Sequence, residues 1–363
     1  MSPELMTFLI SAFIMAASCY LLFISSDKLE EVGKRLSRLL HVPEDVGAST
    51  LGAFSTSGPE IVMAILAATA FIGSGWAVLE IGEKASSGTL NMLFSAMDNL
   101  IGIGCVGIIF MIWKGSINKN ETIELSPATY LGLSMYVLAS ATVFYFLYDG
   151  VFTPKEGKIM MAIGVAYILL QFVMPTLRRT LNIHEDTDED DDDEEEEEPL
   201  PTTFGSYIKE LFTNGFAYAF LVFLLIVLVR ECLGATFSIA TLGIVSVGGV
   251  LLAFTSYVSS FPEFMLSYRY AISNKRHALL GMLFGSNVID LAFSGFRSVW
   301  LAENVRVYTT GYMPQLLMAY IAMLPIIAII SLIAISMGKV KYKVAYPMMV
   351  FYVLYIGSGL ILL

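Results

Sequence analysis

Residues 54–60 read Phe54-Ser55-Thr56-Ser57-Gly58-Pro59-Glu60, and residues 257–263 read Tyr257-Val258-Ser259-Ser260-Phe261-Pro262-Glu263. Each stretch sets hydroxyls, a proline and a carboxylate inside an otherwise apolar segment. A second pair follows: Ser95-Ala96-Met97-Asp98-Asn99 starts 35 residues after Glu60, and Ser286-Asn287-Val288-Ile289-Asp290 starts 23 residues after Glu263. A carboxylate at the bilayer centre costs about 3 kcal/mol or more, so its default reading there is functional. Two such constellations in matching positions predict a membrane chain built from a repeat, with its site where the repeats meet.

The rest of the chain agrees with a bilayer. Of 363 residues, 56% are hydrophobic, and the mean hydropathy is +0.72. That excludes an ordinary soluble domain. Cys19, Cys105 and Cys232 lie far apart in apolar segments, which excludes a disulfide framework. His41, His184 and His277 fall in predicted loops, which argues against zinc. The N-terminal Met1-Ser2-Pro3-Glu4-Leu5 has no Lys or Arg ahead of its apolar run and reads as the start of a spanning helix, not a cleaved signal. The net charge of −11 is local. Residues 185–198 hold 13 acids in 14 positions, and the remainder carries 21 Lys+Arg against 19 Asp+Glu, a net of +2. That run repels itself, buries nothing and is read as disordered.

About 20 apolar residues span hydrocarbon as a helix. Ten segments qualify: 6–25, 48–73, 87–113, 126–148, 158–176, 214–233, 238–268, 277–300, 311–337 and 342–362. Loops after the odd-numbered spans carry 15 Lys and Arg, and the opposite side carries six. The bias places the first set, with the acidic loop, in the cytoplasm and both termini outside. The predicted fold is an all-α membrane protein of ten transmembrane helices in two inverted five-helix repeats. The first repeat is 1–183, the acidic cytoplasmic loop 184–213 and the second repeat 214–363. An odd number of spans per half makes the halves enter from opposite sides, related by a two-fold axis in the membrane plane.

The chemistry of the site follows from the residue types. Thr56 and Ser57 lie four and three residues before Glu60, on one helix face. Pro59 and Pro262 lack an N–H, so the carbonyls of Ser55 and Val258 lose their helical partners. In lipid a freed carbonyl must find another partner, and a cation is one. Ser95 and Asn99 are one helical turn apart, as are Ser286 and Asp290. The donors are carboxylate, amide, hydroxyl and carbonyl oxygens, a cage for a hard cation such as Ca²⁺ and by the same logic Na⁺. Glu60, Glu263 and Asp290 repel one another unless a divalent ion or several monovalent ions neutralise them. Competition for the same oxygens, combined with alternating access, gives exchange.

These motifs resemble the sodium/calcium exchanger family of the cation/calcium exchanger superfamily, whose pattern in each half is roughly G-T-S-x-P-E followed by G-N-x-x-G-S-N-I-x-N/D. The resemblance implies that Glu60 and Glu263 are the central Ca²⁺ ligands, helped by the backbone carbonyls of Thr56 and Ser259. It implies that Ser57, Ser95, Ser260 and Ser286 line Na⁺ positions, that Asn99 and Asp290 complete the centre, and that spans 1 and 6 slide against the other eight. The expected partners are the transported ions and the lipid bilayer, with no further cofactor, no nucleic acid, no enzymatic activity, a monomer and a cell membrane. Departures stand out. Ser55, Val258, Leu90 and Phe94 replace family glycines, and Ala96 and Met282 replace asparagines. Asp98 stands where the family carries an apolar residue. It has three readings: a fourth carboxylate of the cage, a partner for another helix, or altered ion choice.

Competing readings have their own signatures. Ca²⁺/H⁺ exchange, or exchange of another divalent ion such as Mg²⁺, uses buried carboxylates too, but the proton-coupled branch carries Gly-Asn-x-x-Glu at the site glutamate. An intramembrane aspartyl protease would use Tyr148-Asp149, for which the Gly-x-Gly-Asp partner is missing. A non-transporting binding protein would act through the acidic loop.

Overall fold

The computed structural model describes residues 3–40, 42, 44–58, 60–61, 89, 92–180, 200–201, 203–240, 259–306, 314–338 and 340–362. Pro59, Leu90, Asn91, Tyr257, Val258, His41, His184 and the acidic run 185–198 lie outside the described residues, as do 62–73 of the second predicted span and 241–258 of the seventh.

The described residues are helical almost throughout, because a lipid-facing backbone has no other way to satisfy its polar groups within one segment. Among the described residues the main helices, in chain order, are α1 (Pro3–Leu39), α2 (residues 44–56), α3 (Met92–Lys114), α4 (Pro127–Phe146), α5 (Pro154–Thr180), α6 (Phe204–Ala240), α7 (Phe261–Ile272), α8 (Arg276–Leu301), α9 (Pro314–Ser336) and α10 (Ala345–Leu362). Among the described residues, α3, Pro127–Asp149, Pro154–Val173, Phe204–Leu228 and α8 are long and apolar enough to cross a membrane.

Local chemistry sets several ends. At α4, Ser126 caps Thr129 N at 3.2 Å with a proline in the first turn, a standard start. A capping box opens α5: Thr153 N donates to Glu156 Oε2 at 2.7 Å and Glu156 N to Thr153 Oγ1 at 3.3 Å. For α6, Thr203 Oγ1 accepts from Ser206 N at 3.3 Å. The helix therefore begins about ten residues before the predicted span, inside the segment read as loop 184–213. Likewise α1 runs on to Leu39, past the predicted end at 25, because a helix need not stop where the hydrocarbon does. His277, read as a loop residue, falls in the first turn of α8.

The enclosed centre is α3 with α8. Around α8 pack α4, α5, α7 and the middle of α2. Long and peripheral, α1 and α6 lie along each other, tied by the Arg35–Glu210 ion pair and a bond from Tyr207 Oη to Leu39 O. The connections cross between halves. The segment after α4 (β1, Val151–Phe152) pairs antiparallel with the segment after α8 (β2, Val305–Arg306). The segment after α3 meets the segment after α9 through the Thr122–Lys341 bridge and the 2.9 Å bond from Ile123 N to Val340 O.

The contact of α5 with α8 is backbone on backbone. A Cβ at Gly157 would lie 2.5 Å from Gly295 O and 2.6 Å from Ser298 Oγ. Gly157→Ala is expected to destabilise the fold by about 1–3 kcal/mol through overpacking, read as a lower melting temperature in detergent. An unchanged melt would mean that α5 separates freely from α8.

Candidate cation site

Two irregular segments carry the site. A π-turn over Ala48–Gly52 interrupts α2, and Ser57 after it has φ −76° and ψ 0°. Ser260, which opens α7, has φ −82° and ψ 8°. Each serine thus breaks regular helix ahead of its Pro-Glu. Each break is spanned by the same bond, Ile61 N to Ser57 O at 3.0 Å and Phe264 N to Ser260 O at 3.1 Å. Such irregular backbone persists in a membrane only inside protein or against a polar cavity, and π-turns cluster at functional sites.

The side chains meet in two matching sets. Ser95 Oγ donates to Glu60 Oε1 at 3.0 Å, and Ser286 Oγ donates to Glu263 Oε1 at 2.9 Å. The hydroxyls then bridge across the halves: Ser57 with Ser286 at 2.7 Å, and Ser95 with Ser260 at 2.5 Å. At the crossing, Asn99 Nδ2 donates to Ser286 Oγ at 3.2 Å and to Asp290 Oδ2 at 3.3 Å. Ser259 also hydrogen-bonds Glu60, and Thr56 Oγ1 turns back to Ala53 O at 3.2 Å. Nine of the eleven residues singled out in the sequence, Glu60, Glu263, Ser259, Ser57, Ser260, Ser95, Ser286, Asn99 and Asp290, are therefore linked in one buried group, and Thr56 is buried with its hydroxyl turned to its own helix.

Asp98 is equally buried but joins a different helix. Its Oδ1 accepts from Tyr352 Oη of α10 at 3.0 Å. Sequence reasoning did not single out Tyr352, since a tyrosine in a long apolar run has no distinguishing spacing. Asn287 was quoted in a motif but given no role. It is fully buried and both its amide atoms lack a hydrogen-bond partner among the described residues.

The donors suit a hard cation. Glu60 Oε2, Glu263 Oε2, Asp290 Oδ1 and Asn99 Oδ1 are buried acceptors with no donor among the described residues. Glu60, Glu263 and Asp290 act electrostatically on one another, so positive charge placed between them relieves repulsion. Among the described residues no three His, Cys, Asp or Glu side chains form a dense metal cluster; the carboxylates are spread among serines and an amide. Asp149, half of the protease signature, is exposed and caps Val151 N at 3.0 Å, whereas Asp290 is buried in α8. The two do not form a buried catalytic dyad.

Comparison with known proteins agrees with these features. Residues 10–173 match the family model described as sodium/calcium exchanger protein. No curated protein matches the chain. Solved structures of the sodium-calcium exchanger NCX_Mj share its fold. The form soaked with 2.5 mM Na⁺ and 10 mM Sr²⁺ has a TM-score of 0.67 at 16% identity, covering 97% of this chain and 99% of that one. The form with 10 mM Na⁺ and no Ca²⁺ gives 0.65 at 17% identity, over 97% and 99%. The form without Na⁺ and Ca²⁺ gives 0.62 at 16% identity, over 96% and 99%. The chain is therefore a multi-pass membrane protein, predominantly helical among the described residues.

Proposed function

From a chain whose residues 10–173 match the sodium/calcium exchanger family and whose fold is that of a sodium-calcium exchanger, we propose a secondary antiporter that exchanges Ca²⁺ for Na⁺ by alternating access. The family match supports cation/calcium exchange as the class of activity, and the donor chemistry supports these two ions. Glu60 and Glu263 hold Ca²⁺ together with the carbonyls of Thr56 and Ser259. Ser57, Ser95, Ser260 and Ser286 line Na⁺ positions, and Asn99 and Asp290 close the centre.

The observation that carries this reading is the reciprocity of the serine bridges. Ser57 reaches Ser286 as Ser260 reaches Ser95, and each glutamate takes a hydroxyl from the following site helix of its own half. A two-fold axis through the Asn99–Asp290 contact accounts for all four bonds. The crossed connections, after α4 with after α8 and after α3 with after α9, follow the same symmetry. Both favour ten spans in two inverted five-helix repeats, residues 1–183 and 214–363, around a cytoplasmic acidic loop with both termini outside a cell membrane. One Ca²⁺ neutralises carboxylates that several Na⁺ can also neutralise, so the two sets of ions exclude each other and take turns.

Reconstituted into vesicles, the chain should take up ⁴⁵Ca²⁺ when a Na⁺ gradient is imposed outward, and should not when only a pH gradient is imposed. Uptake driven by the pH gradient alone would replace Na⁺ with H⁺ as the coupling ion. Uptake under neither gradient would defeat the exchanger reading.

A further inference from the structure

Two helices in contact, α4 and α8, each carry a buried polar atom without a partner. Tyr136 of α4 is fully buried, and its hydroxyl has no hydrogen-bond partner among the described residues. Asp290 of α8 is fully buried as well. Asn99 Nδ2 holds its Oδ2 at 3.3 Å, and its Oδ1 has no donor among the described residues. The contacts between the two helices advance along both of them. Thr129 Oγ1 donates to His277 O at 3.3 Å, and a Cβ at Gly132 would lie 3.2 Å from Phe284 Cβ. The next turn of α4 brings Tyr136 beside the turn of α8 that carries Asp290, and these two side chains act on each other electrostatically. Ser57 and Ser95 also interact with Asp290, but a serine has only one proton to give. The 2.7 Å bridge to Ser286 and the 3.0 Å bond to Glu60 compete for those protons.

We propose that Tyr136 is a positioning residue that stands in for the cation: its phenol donates to Asp290 Oδ1 when the site is empty and releases that oxygen when an ion binds. This rests on the exchanger reading above. A buried donor and a buried acceptor that both stay unmade are costly, and pairing these two removes both penalties at once. The end torsion of an aspartate is soft, so Oδ1 can turn between a cation and a phenol. A phenol donates to a carboxylate oxygen and to the carbonyl oxygen of a carboxylic acid alike, so the bond does not depend on the charge of Asp290. An exchanger must release each ion as readily as it takes it up. A donor that accepts the vacated oxygen makes the empty site less costly and so eases release. Because the bond belongs to the empty site, it opposes Na⁺ and Ca²⁺ by the same factor. A hydroxyl that ligated the ion would act with the opposite sign.

That sign is the test. Tyr136→Phe removes the hydroxyl and keeps the ring, so the chain should fold. Melting of the purified full chain in detergent is measured in chelator without Na⁺ and in saturating Ca²⁺, and ion titrations give the overall binding constant for each ion. In chelator the variant should melt lower than wild type. In saturating Ca²⁺ it should melt level with wild type or higher, because there the hydroxyl has no bond to lose. The binding constants for Ca²⁺ and for the full set of Na⁺ ions should each rise by about threefold to tenfold, the worth of one hydrogen bond, and should agree within about twofold. In an Asp290→Leu background the chelator difference between tyrosine and phenylalanine should vanish. Weaker binding of either ion would make the hydroxyl a ligand. An equal drop in melting with and without ions would make it a packing group. A chelator difference that survives Asp290→Leu would give it another acceptor, and no change at all would leave it idle. Each of these four results overturns the proposal. Failure of the exchanger reading looks different: the wild-type chain would then show no melting shift with either ion.

Discussion

Glu60→Gln and Glu263→Gln are each expected to abolish Na⁺-driven Ca²⁺ uptake in a chain that still folds, and to do so to the same degree. Glutamine keeps the acceptor oxygen that Ser95 or Ser286 requires, at 3.0 and 2.9 Å in the native chain. What changes is the other atom. Glu60 Oε2 and Glu263 Oε2 are buried acceptors with no donor among the described residues, and an amide would turn an N–H₂ toward the ion and remove a negative charge. Removing one member of a buried charge pair costs about 3–5 kcal/mol, or roughly 10²- to 10⁴-fold in affinity. Transport at ordinary Ca²⁺ would then vanish. Without ions the sign reverses, because the carboxylates repel one another in the empty cage. Each variant should therefore melt at least as high as wild type in chelator while losing the rise that Ca²⁺ confers. Flux in vesicles and melting with and without Ca²⁺ measure the two effects. Equal losses follow from the matched bonds of the two halves. A variant at one glutamate that keeps wild-type uptake would break that equivalence and remove the basis for a shared central ion.

The reason these residues were legible is energetic. A glutamate within an apolar segment stands out because lipid penalises it, and finding Pro-Glu twice made the repeat visible from spacing alone. The one-turn spacing of Ser95 with Asn99, and of Ser286 with Asp290, was likewise readable. The partners were not. Nothing in the order of residues says that Ser57 bonds Ser286 across the halves while Ser95 bonds its own Glu60, because that choice depends on how the two halves dock. The π-turns at Ala48–Gly52 and Asp98–Ile103 have no sequence signature, since a single displaced hydrogen bond is set by packing and not by propensity. The role of Tyr352 was hidden for the same reason: its hydroxyl matters only because Gly102 lets α10 approach. Helix lengths misled in the other direction. Hydrophobicity marks where lipid ends, and α1 and α6 each continue as helices of 37 residues well into polar sequence.

Gly285→Ala should have the second-largest effect, and it should be confined to one bridge of the site. Gly285 lies where α8 crosses the π-turn of α2. A Cβ there would collide with Ser49 O and lie 2.8 Å from Tyr167 Oη and 2.9 Å from Ala53 Cβ. None of these can turn aside. Tyr167 Oη donates to Ser49 O at 2.8 Å, and Gln171 Nε2 holds the phenol at 3.2 Å while also donating to Ala128 O at 3.0 Å. The clash therefore falls on two backbones, and α8 must draw back from α2. The next residue is Ser286, whose 2.7 Å bond to Ser57 cannot survive a separation of about an ångström, given how steeply hydrogen bonds weaken beyond their optimum. Overpacking of this kind costs about 1–3 kcal/mol, which a chain of this size tolerates. The expectation is a folded chain whose apparent Ca²⁺ affinity is lower by about ten- to a hundredfold, since 1.4 kcal/mol is tenfold. The Ser95–Ser260 bridge at 2.5 Å lies on the other side, where Phe94 occupies the position matching Gly285, so it should remain intact. Gly215→Ala on α6, where an added methyl meets nothing within 4 Å, is the control and should leave flux unchanged. Wild-type Ca²⁺ affinity in Gly285→Ala would show that the close α2–α8 contact does not set the geometry of the site. The serine bridges would then be a consequence of ion-cage packing elsewhere.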